Sequence, residues 1–337
     1  MTDLLVVGGG PAGLGTAIHA VMAGLDVMVA EQRPAPIDKA CGEGLMPGAV
    51  RALSSLGVRV AGYPFRGIRY LDDRQVAQAA FRDGSGLGVR RTELHAALAH
   101  RAAELGIPVL PARVTEFHQD DGGVTVAGRR ARYLVAADGL HSRVRRAVGL
   151  DLADRRVPRY GLRRHFHVAP WSEYVEVHWT PRAEAYVTPI GPELVGVAVL
   201  TAHRGPFTDH LATFPRLAAR LRDAPAGPVL GAGPLRQRVR HRVAGRVLLV
   251  GDAAGYVDAL TGEGIAVALT AARQLVQCVL DGRIDRYDRA WRRGSRTYRL
   301  LTESLLWARN NSVLAPRIVP TAARLPGAFR TVVGLLG

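Results

Sequence analysis

The sequence predicts an α/β fold in three parts: a parallel-sheet domain assembled from separated stretches, an inserted antiparallel sheet, and a helical C-terminal segment. Three observations lead there. A β-α-β pattern opens the chain, with a glycine-rich turn between strand and helix. Apolar runs of the same buried type return at 133–137 and 246–250, with alternating segments between them. From Asp285 onward the spacing is helical.

Each element has its reason. The run at 4–7 is short and continuously apolar, as in a strand buried on both faces. Gly8-Gly9-Gly10-Pro11-Ala12-Gly13 follows at once, then helical spacing over 14–23 that ends near Gly24. Residues 26–30 form a second strand closed by Glu31, completing the unit within about thirty residues. Residues 35–49 are rich in Gly and Pro and read as loop. Residues 67–81 alternate loosely and are expected to form strands. Over 92–105 Leu94, Leu98 and Ala102 share a helical face, with Thr92 as the expected N-cap. The strand at 133–137 is closed by Asp138-Gly139. Residues 174–179 and 185–190 alternate, 194–200 is apolar, and Gly191-Pro192 turns the chain, which predicts an antiparallel sheet with one solvated face. A long helix is expected over 262–280. The interleaving assigns 1–66, 86–150 and 240–282 to a first domain, 67–85 and 151–239 to a second, and 283–337 to the helical segment.

The chain has 337 residues, 48% hydrophobic and 22% charged, enough for a large core and unlike a disordered chain. Its net charge is +16, yet among 45 basic residues Lys39 is the sole lysine. That skew, with abundant Ala and Gly and no nucleic-acid module, argues for composition rather than nucleic-acid binding. Two cysteines without paired spacing, Cys41 and Cys278, suit a reduced cytoplasm and predict neither a disulfide framework nor a metal site. The opening Met1-Thr2-Asp3 does not read as a signal peptide, and no segment approaches the ~18 apolar residues of a membrane span. A cytoplasmic location is expected.

The glycine motif carries the first chemistry. Gly8 permits a tight turn, Gly10 lets the backbone approach a pyrophosphate, and Gly13 lets helix and strand pack closely. The helix N-terminus offers free N–H groups and a positive dipole to phosphates. Glu31, eighteen residues after Gly13, is placed to accept from ribose hydroxyls. Strand, turn, helix and acidic residue together make a Rossmann-type dinucleotide fingerprint, which does not separate FAD from NAD.

Three later motifs separate them: Val89-Arg90-Arg91-Thr92-Glu93-Leu94; Ala137-Asp138-Gly139-Leu140-His141-Ser142-Arg143-Val144-Arg145; and Val250-Gly251-Asp252-Ala253-Ala254-Gly255 followed by Thr261-Gly262-Glu263-Gly264-Ile265. In these the chain resembles the flavoprotein superfamily of p-hydroxybenzoate hydroxylase-type monooxygenases and geranylgeranyl reductases, over most of its length through Leu280. The resemblance implies a Rossmann-type FAD-binding domain with an inserted antiparallel-sheet substrate domain. It puts Arg91 near the FAD phosphates and Asp138 and Gly139 at a strand end where cofactors bind. Gly251 and Asp252 serve the ribityl chain. The amides at Gly262, Gly264 and Ile265 face the flavin edge that gains negative charge on reduction. The expected cofactor set also includes Pro11, Ala12, Gln32, Arg33, Cys41, Gly42 and Val114. Ala259 and Tyr256 depart from the pattern, where many relatives carry proline and many monooxygenases histidine. No second Gly-x-Gly-x-x-Gly is present, so NAD(P)H is expected as a transient reductant.

Cys41-Gly42-Glu43-Gly44-Leu45-Met46-Pro47 resembles the reductase-side loop near the flavin ring. Cys41 is the candidate catalytic residue, as a thiol of pKa ~8.5 that is mostly neutral at pH 7; a small buried residue is the alternative. Lys39 either steers the pyrophosphate or is exposed, and Cys278 belongs to a core helix. From Asp285 ten arginines face only Asp285, Asp288 and Glu303, with Leu300, Leu301, Leu305, Leu306, Trp307, Val332, Val333, Leu335 and Leu336 among them. These helices either cover the substrate cavity or touch the inner face of a membrane peripherally. The leading expectation is an NAD(P)H-using monooxygenase that hydroxylates a hydrophobic, aromatic or polyketide-like small molecule. Tyr160, Phe166, Trp179 and Tyr186 would wall its pocket. The alternative is an alkene reductase acting on an isoprenoid or lipid, and a remote third is a non-catalytic flavin-binding protein. The halogenase pattern WxWxIP is absent around all four tryptophans. The oligomeric state is left open.

Overall fold

In the computed structural model, which describes residues 1–126 and 128–335, two large sheets face a common interior. The first runs in the order Val243–Ala244, Val247–Leu249, Arg129–Ala136, Thr2–Val7, Val27–Ala30, Val109–Leu110. Four of its five pairings are parallel, all but that of Val243–Ala244 with Val247–Leu249. Leu4, Val6, Val29, Leu134, Val135 and Leu248 are fully buried, as both-face coverage requires. An antiparallel hairpin, His118–Asp120 and Gly123–Val126, extends one strand of it.

The second sheet runs Leu230–Ala232, Tyr160–Phe166, Leu194–Thr201, Ala183–Gly191, Val175–Trp179, Gly67–Leu71, Val76–Ala80. All its pairings are antiparallel except Val175–Trp179 with Gly67–Leu71. Gly44–Leu45, Gly86–Gly88 and Tyr63–Phe65 make a small third sheet.

The helices are α1 (Pro11–Met22), α2 (Pro47–Ser55), α3 (Arg91–Glu104), α4 (Arg143–Ala147), α5 (Phe207–Ala212), α6 (Pro215–Leu221), α7 (Gly264–Leu280), α8 (Tyr287–Gly294), α9 (Arg296–Asn310), α10 (Ile318–Arg324) and α11 (Pro326–Gly334). α1 packs on α3 and α7 against the first sheet. It starts at Pro11, earlier than the apolar spacing indicates, because proline needs no partner for its missing N–H at the first helical position. Cys278 is buried in the core along α7. α10 and α11 pack on the strand Val76–Ala80. Among the described residues no helix is long and apolar enough to cross a membrane. Leu336, counted with the apolar C-terminal residues, lies outside the described residues.

Three expectations are corrected. The loop expected over 35–49 ends early, since α2 begins at Pro47. Thr92 is not an N-cap: α3 starts one residue before it, and the distant Glu43 carboxylate accepts the Arg91 N–H at 2.9 Å. The second sheet has no solvated face along its central strands, where Val195, Val197 and Val199 alternate with buried Gly196, Ala198 and Leu200. α5 and α6 cover one side with Phe207, Phe214, Leu217 and Leu221, and the interior occupies the other.

Candidate functional site

The interior is a cavity of about 1220 Å³, with walls drawn from both sheets and from α9 to α11. A pocket for one small molecule is about 300–1,000 Å³, so this one has room for a cofactor and a second ligand. Every cofactor residue expected from the sequence lines it except Gly13. Gly13 sits behind the wall, where a Cβ would lie 1.8 Å from the Gly8 carbonyl oxygen. The glycine therefore sets how closely α1 meets the first strand.

One end is built for a nucleotide. Gly8 has φ +107°, and a side chain there would strike the Ala137 carbonyl at 2.5 Å. The amides opening α1 face the cavity at Gly10, where no side chain caps them. The Arg91 guanidinium reaches 3.7 Å from where a Gly10 Cβ would stand, and its Nε is buried with no partner. Arg90 is exposed. Glu31 Oε2 accepts the Gly9 N–H at 2.8 Å and Oε1 accepts from Arg33 N and Nε at 3.0 Å. Burial pushes that carboxyl up, but the Arg33 and backbone hydrogen bonds outweigh it and hold it below the usual carboxylate range. His95 Nε2 lies 3.0 Å from the Gly9 carbonyl; the carbonyl can only accept, so this nitrogen carries the proton. Burial lowers the His95 pKa, which keeps the ring neutral.

The middle of the cavity joins the other two stretches. Asp138 lines it and also accepts from Arg143 N and Val144 N at 2.8 and 3.2 Å, capping α4; its Oδ1 is buried and unpartnered. Lys39 Nζ is 3.4 Å from Asp252 Oδ2, so Lys39 belongs to the wall. Arg145, 2% exposed, donates to the carbonyls of Leu140, Asp252 and Ala253, to Gln237 at 2.7 Å and to Asp151 at 2.6 Å. It fastens the Asp138 turn to the Asp252 turn. α7 opens on the cavity at Gly264 and Ile265, and no side chain caps it. Glu263 before it keeps a buried, unpartnered Oε2, and burial pushes its carboxyl up to about 7.

The Cys41 loop is clamped from both sides. Glu43 accepts the Arg91 N–H with Oε1 and faces His165 Nε2 at 2.6 Å with Oε2. Arg163 Nη1 lies 3.3 Å from His165 Nδ1; arginine only donates, so Nδ1 accepts and the ring proton points at Glu43. Arg163 also bridges to Asp38 at 2.5 Å. Thr188 Oγ1 donates to the Gly42 carbonyl at 2.8 Å. Cys41 lies on the cavity wall, where its Sγ accepts the Glu43 N–H at 3.4 Å, and burial pushes the thiol up.

Beyond Cys41 the lining turns apolar: Ile68, Tyr70, Val177, Leu200, Leu305 and Phe329. Tyr160 and Tyr186 line this end, and Tyr186 Oη donates to the Leu260 carbonyl at 2.7 Å. Two expected wall residues do not. Phe166 packs with Phe207, ring centres 6.1 Å apart, in the cluster under α5 and α6. Trp179 stands behind Tyr70, 5.3 Å away edge-on. A buried ionic quartet, Arg159, Glu184, Asp258 and Arg309, ties α9 to the second sheet and to the loop before α7.

Glu43, His95, Arg145, Arg163, His165 and this quartet escape sequence reasoning. Glu43 offered one signal, a carboxylate between two glycines of the Cys41 loop. Arg145 closes the Asp138 motif but carries no pattern of its own, and the rest lie outside the motifs.

Two uncapped helix N-termini, an unpartnered buried arginine and a bonded glutamate at a strand end fit the phosphates and ribose of a dinucleotide. The second turn at Asp252, with the open end of α7, fits a flavin rather than a nicotinamide. Fold and site thus define an FAD-binding α/β protein of the Rossmann type. A model of the FAD binding domain family matches residues 1–201, and the chain belongs to that family of FAD-dependent oxidoreductases. It is 28% identical over 328 residues to menaquinone reductase of Mycolicibacterium smegmatis, covering 86% of this chain and 79% of that protein. It is 30% identical over 309 residues to digeranylgeranylglycerophospholipid reductase 1 of Methanopyrus kandleri, covering 80% and 78%. A flavoprotein/dehydrogenase from Cytophaga hutchinsonii shares the fold with TM-score 0.83 at 18% identity, covering 99% of this chain and 92% of that one. A flavin-dependent brominase does so with TM-score 0.84 at 17% identity, covering 99% and 93%.

Proposed function

We propose that the protein reduces a carbon–carbon double bond in a hydrophobic, isoprenoid-like substrate. The observation that carries this reading is Cys41, a thiol kept neutral by burial, where the nucleotide end of the cavity meets its apolar end. FAD held by the Gly8 turn, Arg91 and the open ends of α1 and α7 would, once reduced by NAD(P)H, supply the hydride for one alkene carbon. Cys41 Sγ supplies the proton to the other carbon, so the product gains both hydrogens. Glu43 and Thr188 hold the loop that presents the thiol. Ile68, Val177 and Leu305 exclude water from the apolar end. The names of the two reductase relatives support the same direction.

Oxygen-dependent hydroxylation, the expectation from sequence, is the second reading. Its support is the pair of tyrosines, Tyr160 and Tyr186, on the apolar wall, which suit an aromatic ring. One experiment separates the two. The protein is reduced anaerobically and mixed with a short polyprenyl alkene. Flavin reoxidation without oxygen, together with a saturated product, is expected. Reoxidation that requires oxygen and yields a hydroxylated aromatic would replace this reading with the second.

A further inference from the structure

Within the segment from α9 to α11, five residues both line the cavity and stand exposed: Ser304 on α9, Thr321 on α10, Leu325 after it, and Ala328 and Val332 on α11. They mark a mouth at the apolar end, and none of them is charged. Leu325 is 55% exposed and Val332 42%. On α9 the cavity-lining stripe is Leu301, Leu305 and Ala308. Leu300, Ser304 and Trp307, spaced i, i+4 and i+7, form the neighbouring stripe, and Leu300 and Trp307 are exposed. Leu335 adds another exposed apolar residue at the end of α11. Several large apolar residues exposed on the helices that carry an open apolar mouth are unusual on a surface that faces only water.

The charge of this segment is one-sided. None of the 29 acidic residues of the chain follows Glu303. Arg317, Arg324 and Arg330 are exposed within it, each next to a residue that lines the cavity, Ile318, Leu325 and Phe329. Three occupants compete for such a surface. A second copy related by a two-fold axis would set arginines against arginines. An acidic protein would satisfy the charge but would offer nothing continuous with the cavity behind the rim. An anionic bilayer offers both: phosphate groups at the depth of the arginines and hydrocarbon in line with the apolar opening.

We infer that α9, α10 and α11 dock this mouth on an anionic lipid bilayer, and that the hydrophobic substrate enters from the membrane phase. The route of entry rests on the function proposed above; the docking does not. The segment lies on the membrane rather than in it, since no described helix has the length and apolarity to span.

The test uses FAD-loaded, full-length protein with vesicles of phosphatidylcholine, alone or mixed with phosphatidylglycerol. Co-sedimentation with the mixed vesicles is expected, weakening as salt rises. Trp307, the exposed one of the four tryptophans, should shift its emission to the blue on binding. The triple variant Arg317→Gln/Arg324→Gln/Arg330→Gln should bind about a hundredfold more weakly, at roughly fivefold per charge. Leu325→Ser/Val332→Ser should abolish the blue shift. An unchanged flavin spectrum establishes that each variant is folded. Equal binding to both vesicle types, no binding to either at low salt, or full binding by the triple variant would overturn the docking. A concentration-dependent dimer broken by Leu325→Ser/Val332→Ser would overturn it too and give the face to a second copy. Turnover of a water-soluble short-chain alkene without vesicles keeps the two readings apart. If that turnover fails while vesicle binding holds, only the proposed chemistry falls; in the reverse case only the docking falls.

Discussion

Glu43 has φ 59°, a backbone state that costs a residue with a side chain about 1–2 kcal/mol. Its two carboxylate oxygens explain why the strain persists: one bonds the first amide of α3 and the other faces His165, 122 residues away. Such a pair is illegible in a sequence, because neither residue lies near the other or in a periodic pattern. Glycines are more legible, because sterics alone fix them: Gly8 and Gly13 admit no Cβ. Arg91 was legible through its motif, and its unpartnered Nε gives it a measurable role. Arg91→Ala should weaken FAD binding about 10- to 100-fold, the worth of one charge-assisted hydrogen bond, as read by flavin fluorescence titration. Cys41→Ala should lower kcat for alkene reduction about a hundredfold or more and leave KM nearly unchanged. Burial raises the thiol's pKa, so wild-type activity should stay level through neutral pH and fall only on the alkaline side of an ordinary thiol. A Cys41→Ala enzyme with wild-type kcat would remove the thiol from the chemistry.

At the scale of elements, α9 is fixed by the buried quartet. Burial opposes the charge on Arg159, but Glu184 and Asp258 outweigh it and keep the guanidinium protonated. Burial also pushes Asp258 up, against the pull of Arg159. Removing one member leaves an uncompensated charge, so Glu184→Gln should cost about 3–5 kcal/mol in chemical denaturation. Glu184→Gln/Arg309→Met should recover part of that loss; a purely additive double variant would deny the coupling. The open end of α7 predicts a pH effect. The Glu263 carboxyl titrates near 7 when folded against 4.5 as its ordinary value, so the folded state binds its proton more tightly. Its contribution is complete below pH 4.5 and is lost as pH rises through 7. Glu263→Gln should therefore flatten the fall in stability between pH 5 and 8, worth up to about 3 kcal/mol. A variant with the wild-type slope would assign that fall elsewhere. Helix and strand identities were legible from apolar spacing, and their caps were not. α3 illustrates the reason: its first amide is satisfied by a carboxylate from another part of the fold, so the local candidate Thr92 was never needed. The two-sided burial of the second sheet was hidden likewise, because α5 and α6 come from residues outside the strands they cover.

Across the whole molecule the interleaved order was the most readable feature. Four short apolar runs, each ended by glycine or an acidic residue, become neighbouring parallel strands. Their C-terminal ends lie together, where an open α/β sheet binds its ligand. The apolar half of the cavity was readable only in part: Tyr160, Tyr186 and the covering C-terminal helices were among the expectations, while Ile68, Tyr70, Val177 and Leu200 are single residues of the second sheet that no pattern marks. The account stands on those strand ends enclosing one flavin nucleotide, and anaerobic absorbance titration of the flavin-free protein with FAD tests this directly. One equivalent of FAD should bind, with a shifted and resolved flavin band, and Arg91→Ala should weaken that binding. Correctly folded protein that stays colourless and leaves the spectrum of added FAD unchanged would contradict it.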